Sequence, residues 1–134
     1  MQTLTLRHGV LLLICLLIGA CASLKDRVDA LDQAQRDYEG AVRWGHLDSA
    51  YAMHRNADGS VPTASSRLGN YRVTGYHVLS RSVAKDESSA DQVVEIKYYN
   101  GDYMRENTLT LPQHWRYEAP THTWLLTSPP PEFE

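Results

Sequence analysis

The sequence predicts an α+β fold, in which a long amino-terminal helix and a short second helix pack on a four-stranded antiparallel meander. Three observations lead there. Apolar residues recur at helical spacing only in the first half of the mature region, where Leu24, Val28, Leu31, Tyr38 and Val42 share one face and Gln35 is the single polar interruption. Val, Ile, Thr, Tyr and Trp are concentrated in the second half, in four runs separated by polar or turn-forming residues. The connections between those runs are too short for parallel crossovers, so successive strands must reverse.

Ahead of the first helix, Met1 to Gly9 is polar with one formal positive charge at Arg7, Val10 to Ile18 is entirely apolar, and Gly19 and Ala20 lead to Cys21. A basic start, a short apolar run and a small-residue exit are the features of an export signal. The run falls short of the ~20 residues that span a bilayer. Ile18-Gly19-Ala20-Cys21 resembles the lipobox of bacterial lipoproteins. That resemblance implies a signal peptide over residues 1–20, lipidation of Cys21 and a mature chain that begins there. Ala22, rather than Asp, after the cysteine implies transfer to the outer membrane, facing the periplasm, as in lipoproteins of enteric type.

Cysteine usage fits this reading. Cys15 would leave with the signal and Cys21 would carry lipid, so the domain would hold no thiol for a disulfide, a metal site or a nucleophile. Loss of Arg7 leaves 12 basic against 16 acidic residues, a balance that disfavours nucleic acid and anionic lipid as charge-driven partners. Residues 21–128 have the length of one small domain, followed by a Pro-rich acidic tail over residues 129–134.

Ser23, with Asp26 three residues on, is placed to cap the long helix, and Gly45 to end it in the left-handed conformation. Leu47 to His54 reads as a short helix with Leu47, Ala50 and Tyr51 on one side. Arg55 to Asn70 is rich in Asn, Asp, Gly, Ser and Pro and reads as a loop, with a turn of helix near Ser65 to Leu68. The strands are expected at Tyr71 to Val83, Asp91 to Tyr99, Tyr103 to Tyr117 and His122 to Ser128.

Asn100-Gly101 is the strongest hairpin signal. As a two-residue turn it sets Tyr98 opposite Tyr103, Ile96 opposite Arg105, Val94 opposite Asn107 and Gln92 opposite Leu109. A wider reversal at Ala119-Pro120 sets Trp115 opposite Trp124 and Tyr117 opposite His122. One face then collects Val94, Ile96, Tyr98, Tyr103, Leu109, Leu111, Trp115, Tyr117, Trp124 and Leu126. The same register places Glu95 against Glu106, a repulsion that a bulge near the turn would relieve by reversing the faces of the second strand.

This element order, with the Ala41 to Leu47 junction and the hairpin from Gln113-x-Trp115-Arg116-Tyr117 to Trp124-Leu125-Leu126, resembles the nuclear transport factor 2-like, or cystatin-like, cone fold. The resemblance implies a curved sheet wrapped around the long helix. In enzymes of that fold the cone holds a polar pocket, and here Arg105 and Asn107, between Tyr98 and Tyr103, are the candidate pocket-lining residues. The competing reading sends the Arg105 head group to water. Gln113 is expected to hydrogen-bond a neighbouring strand.

No histidine pair has the spacing for a shared metal ion, so no metal is expected. His46, beside the Gly45 break, is expected to satisfy carbonyl groups at the end of the first helix. There is neither a phosphate-binding glycine loop nor a Gly-x-Ser-x-Gly setting, and no cofactor is expected. The reading is a membrane-anchored, non-enzymatic binding or assembly module of the cell envelope, with a protein partner or a homodimer through its sheet. The alternative is an enzyme acting on an acidic or apolar small molecule, with His46 or His77 moving a proton. Replacing Cys21 by Ser should move the protein from the membrane to the soluble envelope fraction, read by fractionation after peripheral proteins are stripped; retention in the membrane would count against lipidation.

Overall fold

The computed structural model describes residues 25–134. Residues 25–43 form a helix, α1. The expected cap at Ser23, Leu24, and the lipobox with Cys21 lie outside the described residues. Leu31, Tyr38 and Val42 are fully buried, as their spacing requires, while Gln35 is half-buried.

Gly45 ends α1 as the sequence implied. Its φ is +74°, its N–H donates to the Val42 carbonyl, and the backbone N–H of His46 donates to the Ala41 carbonyl at 2.8 Å. These are the paired bonds of a Schellman motif. His46 thus satisfies the helix end with its backbone, and its side chain is exposed. Helix α2, Leu47–Ala52, follows at once and buries Ala50 and Tyr51. It stops short of His54 because the chain there leaves the helix to meet the sheet: the Arg55 N–H donates to the Leu126 carbonyl, and the Leu126 N–H to the Met53 carbonyl. A 3₁₀ turn over Ser66–Asn70, started by the Ser65 side chain, buries Leu68.

The sheet is a four-stranded antiparallel meander in chain order: β1 Tyr71–Val83, β2 Ser89–Asn100, β3 Glu106–Glu118 and β4 Thr123–Leu126. With the helices it makes an α+β domain. Alternation along β2 is clean, with Ala90, Gln92, Val94, Ile96 and Tyr98 buried between more exposed neighbours. The core lies between this face and α1. There Tyr38 stands edge-on to Trp115, with ring centroids 5.9 Å apart, and the Trp124 indole N–H donates to the Arg27 carbonyl at 2.9 Å.

Two registers differ from those expected. In β2–β3, Tyr98 faces Asn107, Ile96 faces Leu109, Val94 faces Leu111 and Gln92 faces Gln113. Asn100 and Gly101 do not make a two-residue turn. Asn100 pairs with Tyr71, the Gly101 N–H donates to the Asn70 carbonyl, and the left-handed position falls on Met104. The reason is burial. The two-residue turn would oppose Arg105 and Asn107 to Ile96 and Val94, whereas the observed register opposes leucines to them and moves Glu95 from Glu106 to Thr110. The displacement is an even number of residues, so the faces are kept and no bulge is needed between β2 and β3. In β3–β4, Trp115 faces Leu126 and Tyr117 faces Trp124, across a loop of residues 119–122 in which His122 has φ +53°. Again the shift is even, and again the same side chains reach the core.

Gly45 has nothing within 4 Å of where a Cβ would lie, so Gly45→Ala tests its backbone conformation alone. It should lower unfolding free energy in urea by about 1 kcal/mol, the usual cost of a left-handed non-glycine residue; no loss would mean the motif does not hold the helix end.

Candidate functional site

The side-chain chemistry of the described domain gathers where α2, the start of β1 and residues 128–134 meet. Three prolines with acidic neighbours read as an extended acidic tail, mobile or acting as a short docking peptide, and in the structure the segment packs on its own domain. Pro131 and Phe133 are buried, and Phe133 belongs to the hydrophobic core. Its ring lies 4.7 Å from that of Tyr98 and 5.7 Å from that of Tyr71. Proline fixes an extended backbone and offers a carbonyl without an N–H, and the groove answers with donors. The Tyr51 hydroxyl donates to the Pro131 carbonyl at 3.0 Å, and His54 Nδ1 lies 2.8 Å from the Ser128 carbonyl oxygen.

His54 is the buried centre of this arrangement. A carbonyl can only accept, so Nδ1 must carry the proton; in the neutral ring Nε2 then accepts from the Tyr38 hydroxyl at 3.0 Å. One imidazole thereby joins α1, the segment after α2 and the segment after β4. Burial pushes its pKa below the ordinary histidine value, partly opposed by the bond to Ser128. Burial also raises the pKa of Tyr38 and Tyr51, so both phenols keep their protons and remain donors.

Space remains beside the docked segment. A cleft of about 740 Å³ runs between it and the loop after α2, with Arg55, Arg67, Glu132 and Glu134 among its lining residues. A second, of about 420 Å³, lies toward Trp44 and Arg72. Tyr71 and Phe133 line both, so Phe133 stands between them. A separate polar cavity of about 300 Å³ lies between α1 and β1, lined by Asp32, Gln35, Glu39, Tyr76, Arg81 and Gln92. Gln35 Nε2 is buried there without a hydrogen-bond partner. Behind it, Gln92 donates to Gln113 Oε1 at 3.0 Å and Gln113 donates to the Tyr76 hydroxyl at 3.1 Å, the cross-strand role expected of Gln113.

The residues proposed for a cone pocket are not brought together. Arg105 and Tyr103 are exposed in the loop before β3, Asn107 is half-buried opposite Tyr98, and Tyr98 is buried against Phe133. None of the four lines the cleft of about 740 Å³. His46 and His77 are exposed. His114 pairs with Asp91 across strands, and His122 meets the Tyr117 hydroxyl. Among the described residues no three potential ligands cluster as for a metal ion. Sequence reasoning missed His54 and Phe133. The available signals were the i, i+3 spacing of Tyr51 and His54, and the placement of the chain's single phenylalanine two residues after the proline run.

The depressed pKa of His54 sets a direction for pH. Above about pH 6.5 the ring is neutral in both folded and unfolded chains; below it the unfolded chain takes up a proton that the folded one resists, so stability falls with acid until the folded pKa is reached. Urea titrations from pH 8 to 5 should show this loss in the wild type, and His54→Gln, which can still donate and accept but does not titrate, should remove that component. Equal slopes for the two chains would contradict the assignment. Comparison with known proteins gives no match to any family model, curated protein or solved structure.

Proposed function

We propose that the chain is a lipid-anchored protein of the bacterial cell envelope, held at the outer membrane through Cys21, whose domain is a non-enzymatic binding or assembly module facing the periplasm. On this reading the domain is a cone-like relative of the nuclear transport factor 2-like folds, with α1 wrapped by a curved sheet. The anchoring rests on Ile18-Gly19-Ala20-Cys21 and the apolar run before it.

The binding role rests on one observation, the position of the exposed apolar side chains relative to that anchor. The three most exposed large apolar side chains, Trp44, Tyr103 and Met104, are 77%, 80% and 74% exposed, while Val78, Leu79 and Val83 on β1 are exposed to a lesser degree. Trp44 follows α1, whose 25–43 span is about 27 Å long at 1.5 Å per residue. Tyr103 and Met104 precede β3, whose far end carries Tyr117, and the Arg27 guanidinium stacks on the Tyr117 ring beside Trp124. Arg72 joins the two groups, lining one cavity with Trp44 and another with Met104. A short link after Cys21 would keep the start of α1 at the membrane, and this apolar end would then point into the periplasm. Large exposed side chains grouped in this way suit a protein surface.

The alternative, an enzyme with a small pocket, draws on the polar cavity beside Gln35. Its Tyr76 phenol has a pKa raised to about 12, chiefly by burial, and is a poor proton carrier at neutral pH. The binding reading uses the exposed residues that the enzyme reading leaves without a role.

A photo-cross-linking residue in place of Trp44 or Tyr103 should give discrete protein adducts in intact cells, and one in place of Asp29, near the start of α1, should not. Adducts from Asp29 alone would overturn the orientation, and adducts from none of the three would overturn the binding role.

A further inference from the structure

We propose that the groove of Tyr51, His54, Tyr71 and Tyr98 is a receptor site for an extended proline–aromatic peptide, and that residues 128–134 of a second copy of this chain can occupy it in place of the chain's own. The occupant's chemistry is already on display. Residues 128–134 belong to no strand; beyond the His114 N–H on the Ser128 hydroxyl, they are held by side chains of the groove acting on backbone carbonyls, His54 on Ser128 and Tyr51 on Pro131. Phe133 adds the one large apolar anchor, between Tyr71 and Tyr98. Such contacts read a peptide's conformation and its aromatic residue, and they are the same whichever chain supplies it.

Two further features favour exchange over a segment that simply swings free. Phe133 separates clefts of about 740 and 420 Å³, so its departure would join them into one wet, aromatic-lined opening; a chain that releases its own segment gains by accepting another. The last contacts with β3 are the Thr127 N–H to the His114 carbonyl and the His114 N–H to the Ser128 hydroxyl, and Pro129, Pro130 and Pro131 follow Ser128. That run is stiff and extended, able to project away from its own domain and carry Phe133 to a neighbour. Confinement of copies to one membrane surface would raise their effective concentration, a contribution that rests on the anchoring proposed above.

The test uses the full chain with Cys21→Ser, purified in mild detergent from whichever fraction holds it, so its outcome does not depend on lipidation. A fluorescent peptide of residues 127–134 should bind the Phe133→Ala chain saturably and at least tenfold more tightly than it binds the wild type, whose own segment competes. The same peptide with Phe133→Ala should bind at least tenfold more weakly to either chain. The unsubstituted chain should form a dimer on concentration, measured by light scattering, that excess peptide returns to monomer; this second measurement stands even where Phe133→Ala does not fold. A folded Phe133→Ala chain that ignores the peptide overturns the receptor site. A chain that binds the peptide yet stays monomeric at every concentration overturns exchange between copies and assigns the groove to a peptide from another protein.

Discussion

The three groups Tyr38, His54 and Ser128 form one buried hydrogen-bonded line on which the arrangement of the domain depends. A histidine so enclosed is tolerated only when both ring nitrogens have partners, because an unpaired polar atom in a dry core costs more than an apolar one. Satisfying both requires α1, the segment after α2 and the segment after β4 to be in place together. Around this line Tyr38 also meets the Trp115 ring and Tyr51 holds Pro131, so hydrogen bonding and aromatic packing impose the same geometry. The isolated bridge between His54 and Leu126 extends it by covering part of the β4 edge.

The sheet obeys a different constraint, the burial of one face. Asn100-Gly101 carries a strong local preference for a tight hairpin, yet it is overridden because that turn would oppose Arg105 and Asn107 to the centre of β2. Turn preferences are local and modest in energy, whereas opposing Val94 and Ile96 to leucines contributes along the whole hairpin. The polar trio Gln92, Gln113 and Tyr76 survives within this face because the observed register sets Gln92 opposite Gln113 and the Tyr76 side chain, from β1, reaches Gln113.

These two constraints divide the molecule by role. The end near the start of α1 is tied down by Arg27, Tyr117 and Trp124. The other end carries the exposed Trp44, Tyr103 and Met104, the groove and its clefts. A domain proposed to be tethered at one end and to meet partners at the other has its rigid packing and its open chemistry in the matching places. The run Pro129 to Glu134 closes the groove at that same end, with Pro131 and Phe133 buried.

Much of the fold was legible because it is written in short periods. Helical spacing marked the buried face of α1, Gly45 marked its end, and β-branched and aromatic runs marked four strands in order. The inner face of the sheet was also legible, since alternation has a period of two and the register errors were even. Little of the candidate site could be read in this way. The pocket assigned to Arg105, Asn107, Tyr98 and Tyr103 depended on a register that only packing selects, and the groove joins residues far apart in the chain, Tyr51 with Pro131 and His54 with Ser128. Local sequence determined which segments become helix and strand and which side chains turn inward; the folded chain alone decided which of those side chains meet, because contacts across such separations are chosen by the burial of the whole core and leave no periodic trace.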